Sequence, residues 1–264
     1  MNRESGTSYY PVPVRERRRL GKTDGNQAAP IVPAAANGGG IRPRALALVL
    51  VFGVGLILIG RLRAAGLDGG PLAEFSGLAT PIYIGLTIAT AMGLINAGAG
   101  FTRLGFEIRF APCRHLSLAA AGAVVLFLLA ELSTPLLGSV FGEARDLDRF
   151  ASVAGSPAAT LKLLLFSWTF AAFGEEIALR IVLMRGLIYA LGNGRFAVLA
   201  ALVLQAVVFG LVHVYQGPAG VAGTFMSGLV YGVLVLLARG SIWPAALAHG
   251  TGNTIGILSL YVGS

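Results

Sequence analysis

Cysteine and charge are what this sequence has least of. Its one cysteine, Cys113, excludes a disulfide framework within the chain and a metal site built from several cysteines. Asp, Glu, Lys and Arg make up 12% of the residues, whereas soluble domains carry about 25%. With 55% of the residues hydrophobic, the composition argues against a water-soluble fold. It predicts an all-α protein, a polytopic bundle of transmembrane helices.

The positive charge is unevenly distributed along the chain. The formal net charge is +8, and much of it lies near the N-terminus, at Arg15, Arg17, Arg18, Arg19, Lys22, Arg42 and Arg44. No module that reads RNA or DNA accompanies these residues, so we expect no nucleic-acid partner. Residues 1–41 are rich in Pro, Gly, Ala and Asn and lack a sustained apolar period. This predicts a disordered basic cytoplasmic tail that contacts membrane lipid.

Seven apolar segments are long enough, or nearly so, to cross a bilayer. They cover residues 45–62, 80–101, 116–140, 159–184, 196–215, 219–238 and 242–262. The first is short, and we expect Arg44, Arg61 and Arg63 at its two ends to reach toward the membrane surface. Basic loops alternate with balanced or uncharged ones, which predicts a cytoplasmic N-terminus. We expect an integral protein of a bacterial cell membrane, with N-terminal helices in residues 42–115 and a core in residues 116–264.

The fourth apolar segment contains three charged residues, Glu175, Glu176 and Arg180. Each disfavours insertion into hydrocarbon by roughly 2.5–3.5 kcal/mol, so such residues need partners. Glu176 and Arg180 are four residues apart and share one face of a helix, which predicts an ion pair between them. Glu175 then remains, and we expect it to face a polar cavity and to point at His213. A purely structural ion pair without chemistry is the alternative.

Two histidines and an asparagine lie in other apolar segments. His213 is near the end of the fifth, and His249 and Asn253 are four residues apart on the seventh. A carboxylate in a low-dielectric environment can act as a general base near neutral pH, and imidazole and amide groups can stabilise an oxyanion. These residues predict hydrolysis of a peptide bond at the membrane. Glu175 and His213 would activate water, while His249 and Asn253 would stabilise the tetrahedral intermediate.

The same residue types also permit a zinc site. Glu175, His213 and His249 would supply three ligands and leave a fourth position open for water. However, the sequence has no His-Glu-x-x-His motif, and the ligands would come from three separate helices. We therefore prefer a mechanism without a cofactor and keep zinc as the alternative.

Three short motifs resemble those of a known family. Glu-Glu-x-x-x-Arg at 175–180, Phe-x-x-x-His at 209–213 and His-x-x-x-Asn at 249–253 follow one another on apolar segments. In this order they resemble the CAAX protease and bacteriocin-processing family, the intramembrane endopeptidases of the type II CAAX prenyl endopeptidase kind. The resemblance covers roughly residues 116–262. It implies a glutamate-type hydrolase, of a group long classed as metalloproteases.

The resemblance also implies roles for the individual residues. Glu175 and His213 would activate water, His249 and Asn253 would form the oxyanion site, and Glu176 and Arg180 would support them. The substrate would be a membrane-associated peptide or protein. One alternative is a non-catalytic bacteriocin-immunity or scaffolding protein that keeps the polar cluster for packing. A transporter is a third possibility, against which the absence of an evident repeat argues.

Overall fold

The computed structural model describes residues 39–66, 79–106 and 110–263. Within these ranges all regular secondary structure is helical, which confirms the predicted fold class. The disordered tail predicted for residues 1–41 lies, up to residue 38, outside the described residues. The predicted boundary between N-terminal helices and a core near residue 116 stays a prediction, because one helical bundle contains both parts.

Nine α-helices are present in the described ranges. They are α1 (Pro43–Ala64), α2 (Ala79–Asn96), α3 (Phe101–Leu104), α4 (Pro112–Phe141), α5 (Pro157–Phe166), α6 (Arg185–Ala190), α7 (Arg195–Val212), α8 (Gly217–Leu237) and α9 (Trp243–Val262). Two π-helical segments, π1 (Ser167–Glu175) and π2 (Ile177–Met184), connect α5 to α6 in one continuous helical run. Two 3₁₀ turns, Asp148–Val153 and Val214–Gln216, precede α5 and α8.

Five of these helical segments are long and apolar enough to cross a membrane, judged by length and composition. They are Pro43–Ala64, Ala79–Asn96, Pro112–Phe141, Arg195–Val212 and Val214–Leu237. The fourth predicted span, residues 159–184, lies in the run that is divided between α5, π1 and π2. The seventh corresponds to α9, a helix of 20 residues whose polar side chains lower its hydropathy. The protein is a helical membrane bundle, and the total of seven spans stays a prediction.

Proline and glycine mark many helix ends in this chain. Proline occupies the first turn of α1, α4, α5, α8 and α9, where its missing N–H has no intrahelical partner to lose. Gly142 ends α4 in the left-handed conformation, with φ at 73°, as glycine does most readily. Ser156 caps α5, because its Oγ accepts a hydrogen bond from the backbone N–H of Ala159.

The segment π2 lies at the centre of the bundle. Seven of its eight residues are buried, and it packs against α1, α2, α6, α7 and α8. A helix that is apolar on all sides suits such a position. Arg180 is the one charged residue in π2, and it is fully buried. The bundle therefore places a charge at its centre, and the partners of this charge define the site.

Candidate active site

The π-helical run brings both glutamates to one imidazole. Nδ1 of His249 on α9 lies 3.1 Å from Oε1 of Glu176, and Nε2 of the same ring lies 4.0 Å from Oε2 of Glu175. Two adjacent residues on a helix thus face the two nitrogens of a single side chain. π-Helical turns are rare and occur often at functional sites. This run is the local reason why neither carboxylate points away from the site.

Glu176 contacts two partners at once, an arginine and a histidine. Its Oε1 lies 3.1 Å from a guanidinium nitrogen of Arg180 and 3.1 Å from Nδ1 of His249. The ion pair predicted from the four-residue spacing is therefore present, with both side chains at 0% exposure. The contact with His249 was not predicted. Because a carboxylate only accepts hydrogen bonds, Nδ1 of His249 carries a proton and donates a hydrogen bond to Glu176.

Two aromatic rings complete the surroundings of Arg180. Its guanidinium carbon lies 4.7 Å from the centroid of Phe209 and 5.1 Å from that of Tyr231. The ring of Tyr231 also stacks on His249, with a centroid distance of 4.7 Å and an interplanar angle of 17°. Cation–π contacts of this kind stabilise a cation that has been removed from water. Tyr231 therefore touches both the buried cation and the imidazole.

His213 lies where α7 gives way to a 3₁₀ turn. Its Nδ1 is 2.9 Å from the backbone oxygen of Phe209, one turn earlier, so Nδ1–H donates a hydrogen bond to that carbonyl. The ring packs edge-on against Phe209 at 4.9 Å. In the neutral ring, this leaves Nε2 of His213 as an acceptor. The Phe209 carbonyl thus fixes the orientation of the His213 ring through Nδ1.

All four residues predicted to be catalytic line one cavity. Glu175, His213, His249 and Asn253 contribute to the wall of a cavity of ≈ 250 Å³, which we call the polar cavity. They come from π1, from the end of α7 and from α9. His249 is an ionic neighbour of Glu175, and His213 shares the cavity wall with both. That Glu175 points at His213 stays a prediction.

A second cavity meets the first at Glu175. It has a volume of ≈ 280 Å³, lies between α2 and the α5–π1 run, and is lined mainly by apolar and aromatic side chains, so we call it the apolar cavity. Three residues contribute to both walls: Arg63, Phe166 and Glu175. The carboxylate therefore stands at the junction between a polar and an apolar space.

Two glycines allow the helices to approach closely at the site. A Cβ at Gly60 on α1 would lie 2.5 Å from the backbone oxygen of Val212, the residue before His213. A Cβ at Gly250, next to His249, would lie 2.5 Å from the ring of Trp168 on π1. A contact this close, with backbone at Gly60 and with a ring at Gly250, requires a residue without a side chain. The indole of Trp168 is held in place because its Nε1 donates to Oγ1 of Thr254, at 3.1 Å.

Residues from the first and sixth predicted spans also belong to the site, which the sequence did not indicate. Arg63 on α1 and Tyr231 on α8 line the polar cavity together with residues of the fourth, fifth and seventh predicted spans. Arg63 was interpreted as a residue that reaches toward the membrane surface. Arg145, in the loop after α4, lines the cavity as well. No local pattern in the sequence marks Arg63 as a site residue, because its position depends on how closely α1 approaches α7.

The geometry also bears on the zinc alternative. Across residues 39–66, 79–106 and 110–263, no group of three His, Cys, Asp or Glu side chains is arranged to hold a metal ion. Nδ1 of each site histidine already contacts a protein oxygen. The zinc set of Glu175, His213 and His249 stays a hypothesis for measurement.

The comparison with known families agrees with the motifs. A family described as type II CAAX prenyl endopeptidase Rce1-like matches residues 157–255. No curated protein and no solved structure matches the chain. The matched range begins at the start of α5 and includes π1, π2, α7, α8 and most of α9, and it contains all six predicted site residues. Residues 157–255 are thus similar to the type II CAAX prenyl endopeptidase Rce1-like family.

Proposed function

We propose that the protein is an intramembrane endopeptidase that hydrolyses a peptide bond of a membrane-associated peptide or protein. One observation carries the proposal: Glu175, His213, His249 and Asn253, from three separate helical segments, line the same cavity. The family match supports proteolysis in general. The individual roles and the metal-free chemistry are our own assignments.

Glu175 is the general base in this mechanism. Its Oε2 is buried and accepts no hydrogen bond from the part of the chain that the structure describes. The distance of 4.0 Å to Nε2 of His249 exceeds a hydrogen bond and suits a bridging water. Glu175 takes a proton from this water as the water oxygen attacks the peptide carbonyl carbon. The same carboxyl group then gives the proton to the amine that leaves when the C–N bond breaks.

The histidines and Asn253 hold the water and the developing oxyanion. Neutral Nε2 of His213 accepts a hydrogen bond from the attacking water and orients it. Nε2 of His249 donates to the oxyanion, while Glu176 accepts from Nδ1 of the same ring and holds its orientation. The Asn253 amide supplies a second donor to the oxyanion. Arg180, in turn, holds Glu176 in place.

The apolar cavity suggests how the substrate lies. A peptide whose scissile bond reaches Glu175 has an apolar space of ≈ 280 Å³ on one side of that residue. Apolar side chains of a membrane-associated segment fit such a space because their burial there removes them from water. We therefore expect the enzyme to favour bulky apolar residues beside the cleaved bond.

Cleavage and the identity of the base are tested together. The substrate probe is a library of apolar decapeptides that carry a fluorophore and a quencher, incubated with the purified protein in H₂¹⁸O. Hydrolysis releases fluorescence and places one ¹⁸O atom in each new carboxyl group, which mass spectrometry detects. Glu175→Gln and His213→Ala should each lower the cleavage rate by at least about a hundredfold.

Glu131→Gln is the matched control for this experiment. It removes an exposed carboxylate of α4 that does not line the polar cavity, so cleavage should continue at the wild-type rate. Equal rates in the wild type and Glu175→Gln would refute the assigned base. If the wild type cleaves nothing in the library, the non-catalytic scaffolding alternative is favoured. Stoichiometric zinc by elemental analysis, with activity lost on chelation, would replace the metal-free mechanism.

A further inference from the structure

Arg63 lines the polar cavity although it lies outside residues 157–255, the range matched by the family. It lies in the last turn of α1, and it lines both the polar and the apolar cavity. Its neighbour Arg61 is exposed, whereas Arg63 is half-buried. Gly60 explains this position, because its missing side chain lets α1 contact the backbone at Val212. Three residues further along α1, Arg63 then lies beside the bend that carries His213.

The guanidinium of Arg63 has unused hydrogen-bonding capacity. Its Nε is buried and has no hydrogen-bond partner in the ranges that the structure describes. A buried donor without an acceptor costs about 1–3 kcal/mol, and more when the group is charged. An anion bound in the cavity would supply the acceptor.

Arg145 is a second cation on the same wall. Its Nε donates to Oε1 of Gln216 at 2.9 Å, and Gln216 is buried in the 3₁₀ turn after His213. The backbone N–H of Asp146 donates to the Gln216 carbonyl at 3.0 Å, which fastens the loop to this turn. Gln216 therefore holds this loop at the cavity in two ways: its side chain binds Arg145, and its backbone oxygen binds the next residue, Asp146.

The wall of the polar cavity carries an excess of positive charge. Of the described residues that line it, Arg63 and Arg145 are the arginines and Glu175 is the one carboxylate. Arg180 and Glu176 lie behind the wall and pair with each other. A cavity with this balance attracts an anion, and a planar guanidinium binds a carboxylate through two parallel hydrogen bonds.

We propose that Arg63 and Arg145 form a subsite that binds a carboxylate of the peptide substrate. The proposal rests on the proposed endopeptidase function, because it assigns the same cavity a recognition element. The carboxylate belongs either to an acidic side chain or to the C-terminus of the peptide. Both present the same chemistry to the arginines, and the test separates them.

The probe is a set of three matched fluorophore–quencher decapeptide libraries. The first ends in a free carboxylate, the second ends in a carboxamide, and the third ends in a carboxamide but contains Asp after the randomised apolar centre. We expect at least one carboxylate-bearing form to be cleaved about tenfold or more faster than the neutral form, with the difference in KM. The form that shows the preference identifies the source of the carboxylate.

Arg63→Gln and Arg145→Gln should each bring the ratio of the two cleavage rates, carboxylate form to neutral form, close to one. Arg61→Gln and Lys162→Gln remove exposed cations that do not line the cavity, so the preference should remain. Arg63→Lys keeps the charge without the planar fork and should restore part of the preference. A wild-type enzyme without preference, or an undiminished preference in both glutamine variants, would overturn the subsite.

A binding measurement makes the result independent of turnover. The Glu175→Gln protein is titrated into each fluorescent library without quencher, and anisotropy reports the affinity. Tighter binding of a carboxylate form that is lost with Arg63→Gln supports the subsite even if no library is cleaved. Equal affinity for all three forms contradicts it. Cleavage that depends on Glu175 without any carboxylate preference refutes the subsite and leaves the proposed function intact.

Discussion

Replacing Arg180 by methionine should destabilise the protein strongly, because it removes the arginine that pairs with the buried Glu176 carboxylate. Glu176 and Arg180 are both fully buried and 3.1 Å apart. At that distance and an effective dielectric constant of about 20, the Coulomb attraction is about 5 kcal/mol. Removing one partner of a buried pair typically costs about 3–5 kcal/mol, since the other charge remains without compensation. We expect Arg180→Met and Glu176→Gln each to lower the free energy of unfolding by that amount.

The double variant distinguishes an ion pair from two independent effects. In Glu176→Gln/Arg180→Met both charges are absent, so no buried charge is left unpaired. Its loss of stability should be at least about 3 kcal/mol smaller than the sum of the two single losses. Unfolding can be followed in mixed detergent micelles with increasing SDS, by the fluorescence of Trp168 and Trp243.

The control for this cycle is Arg195→Met, which removes an exposed arginine at the start of α7 and should change stability by less than about 0.5 kcal/mol. If the two single effects add to within about 0.5 kcal/mol, the buried pair is not the source of the stability, and the reasoning is refuted.

Three further predictions concern helix contacts and orientation. Gly60→Ala should cost about 1–3 kcal/mol because its Cβ would meet the backbone of α7, whereas Gly85→Ala, in open space on α2, should leave the SDS midpoint unchanged. Gly250→Ala should lower both stability and activity, because the new Cβ would overlap the Trp168 indole on π1. Gly252 has open space around it, so Gly252→Ala is the control, and equal stability of the two variants would contradict the prediction. Cys113, the single and exposed cysteine, should react with a membrane-impermeant maleimide in inverted vesicles and not in right-side-out vesicles; the reverse would overturn the cytoplasmic N-terminus.

The sequence was sufficient to predict the features that depend on local spacing and hydropathy. Apolar segments predicted the helical bundle, and the four-residue spacing predicted the Glu176–Arg180 pair that is present at 3.1 Å. The π-helical run was not predictable, because i→i+5 bonding is set by the helices packed around it and leaves no period of its own in the sequence. The proximity of Glu175 to His249 was therefore not predicted either.

Site residues that come from helices distant in sequence also could not be predicted. Tyr231 is one aromatic residue on an apolar helix, and nothing local shows that it stacks on His249. Arg63 ends a helix, where a position at the membrane surface is the ordinary interpretation. Its place in the cavity wall depends on how closely α1 approaches α7, which is a tertiary property.

Substitutions at the two adjacent glutamates should affect activity and stability differently. Glu175→Gln removes a buried carboxylate oxygen that lacks a hydrogen-bond donor in the described part of the chain, so stability should stay equal or rise while cleavage is lost. Glu176→Gln breaks the charge balance with Arg180 and weakens the support of His249, so stability and cleavage should fall together. The unfolding assay above and the peptide-library assay measure the two quantities on the same samples. If Glu175→Gln is destabilised as much as Glu176→Gln, then Glu175 is a structural partner of His249. In that case the purely structural interpretation of the cluster replaces the enzymatic one.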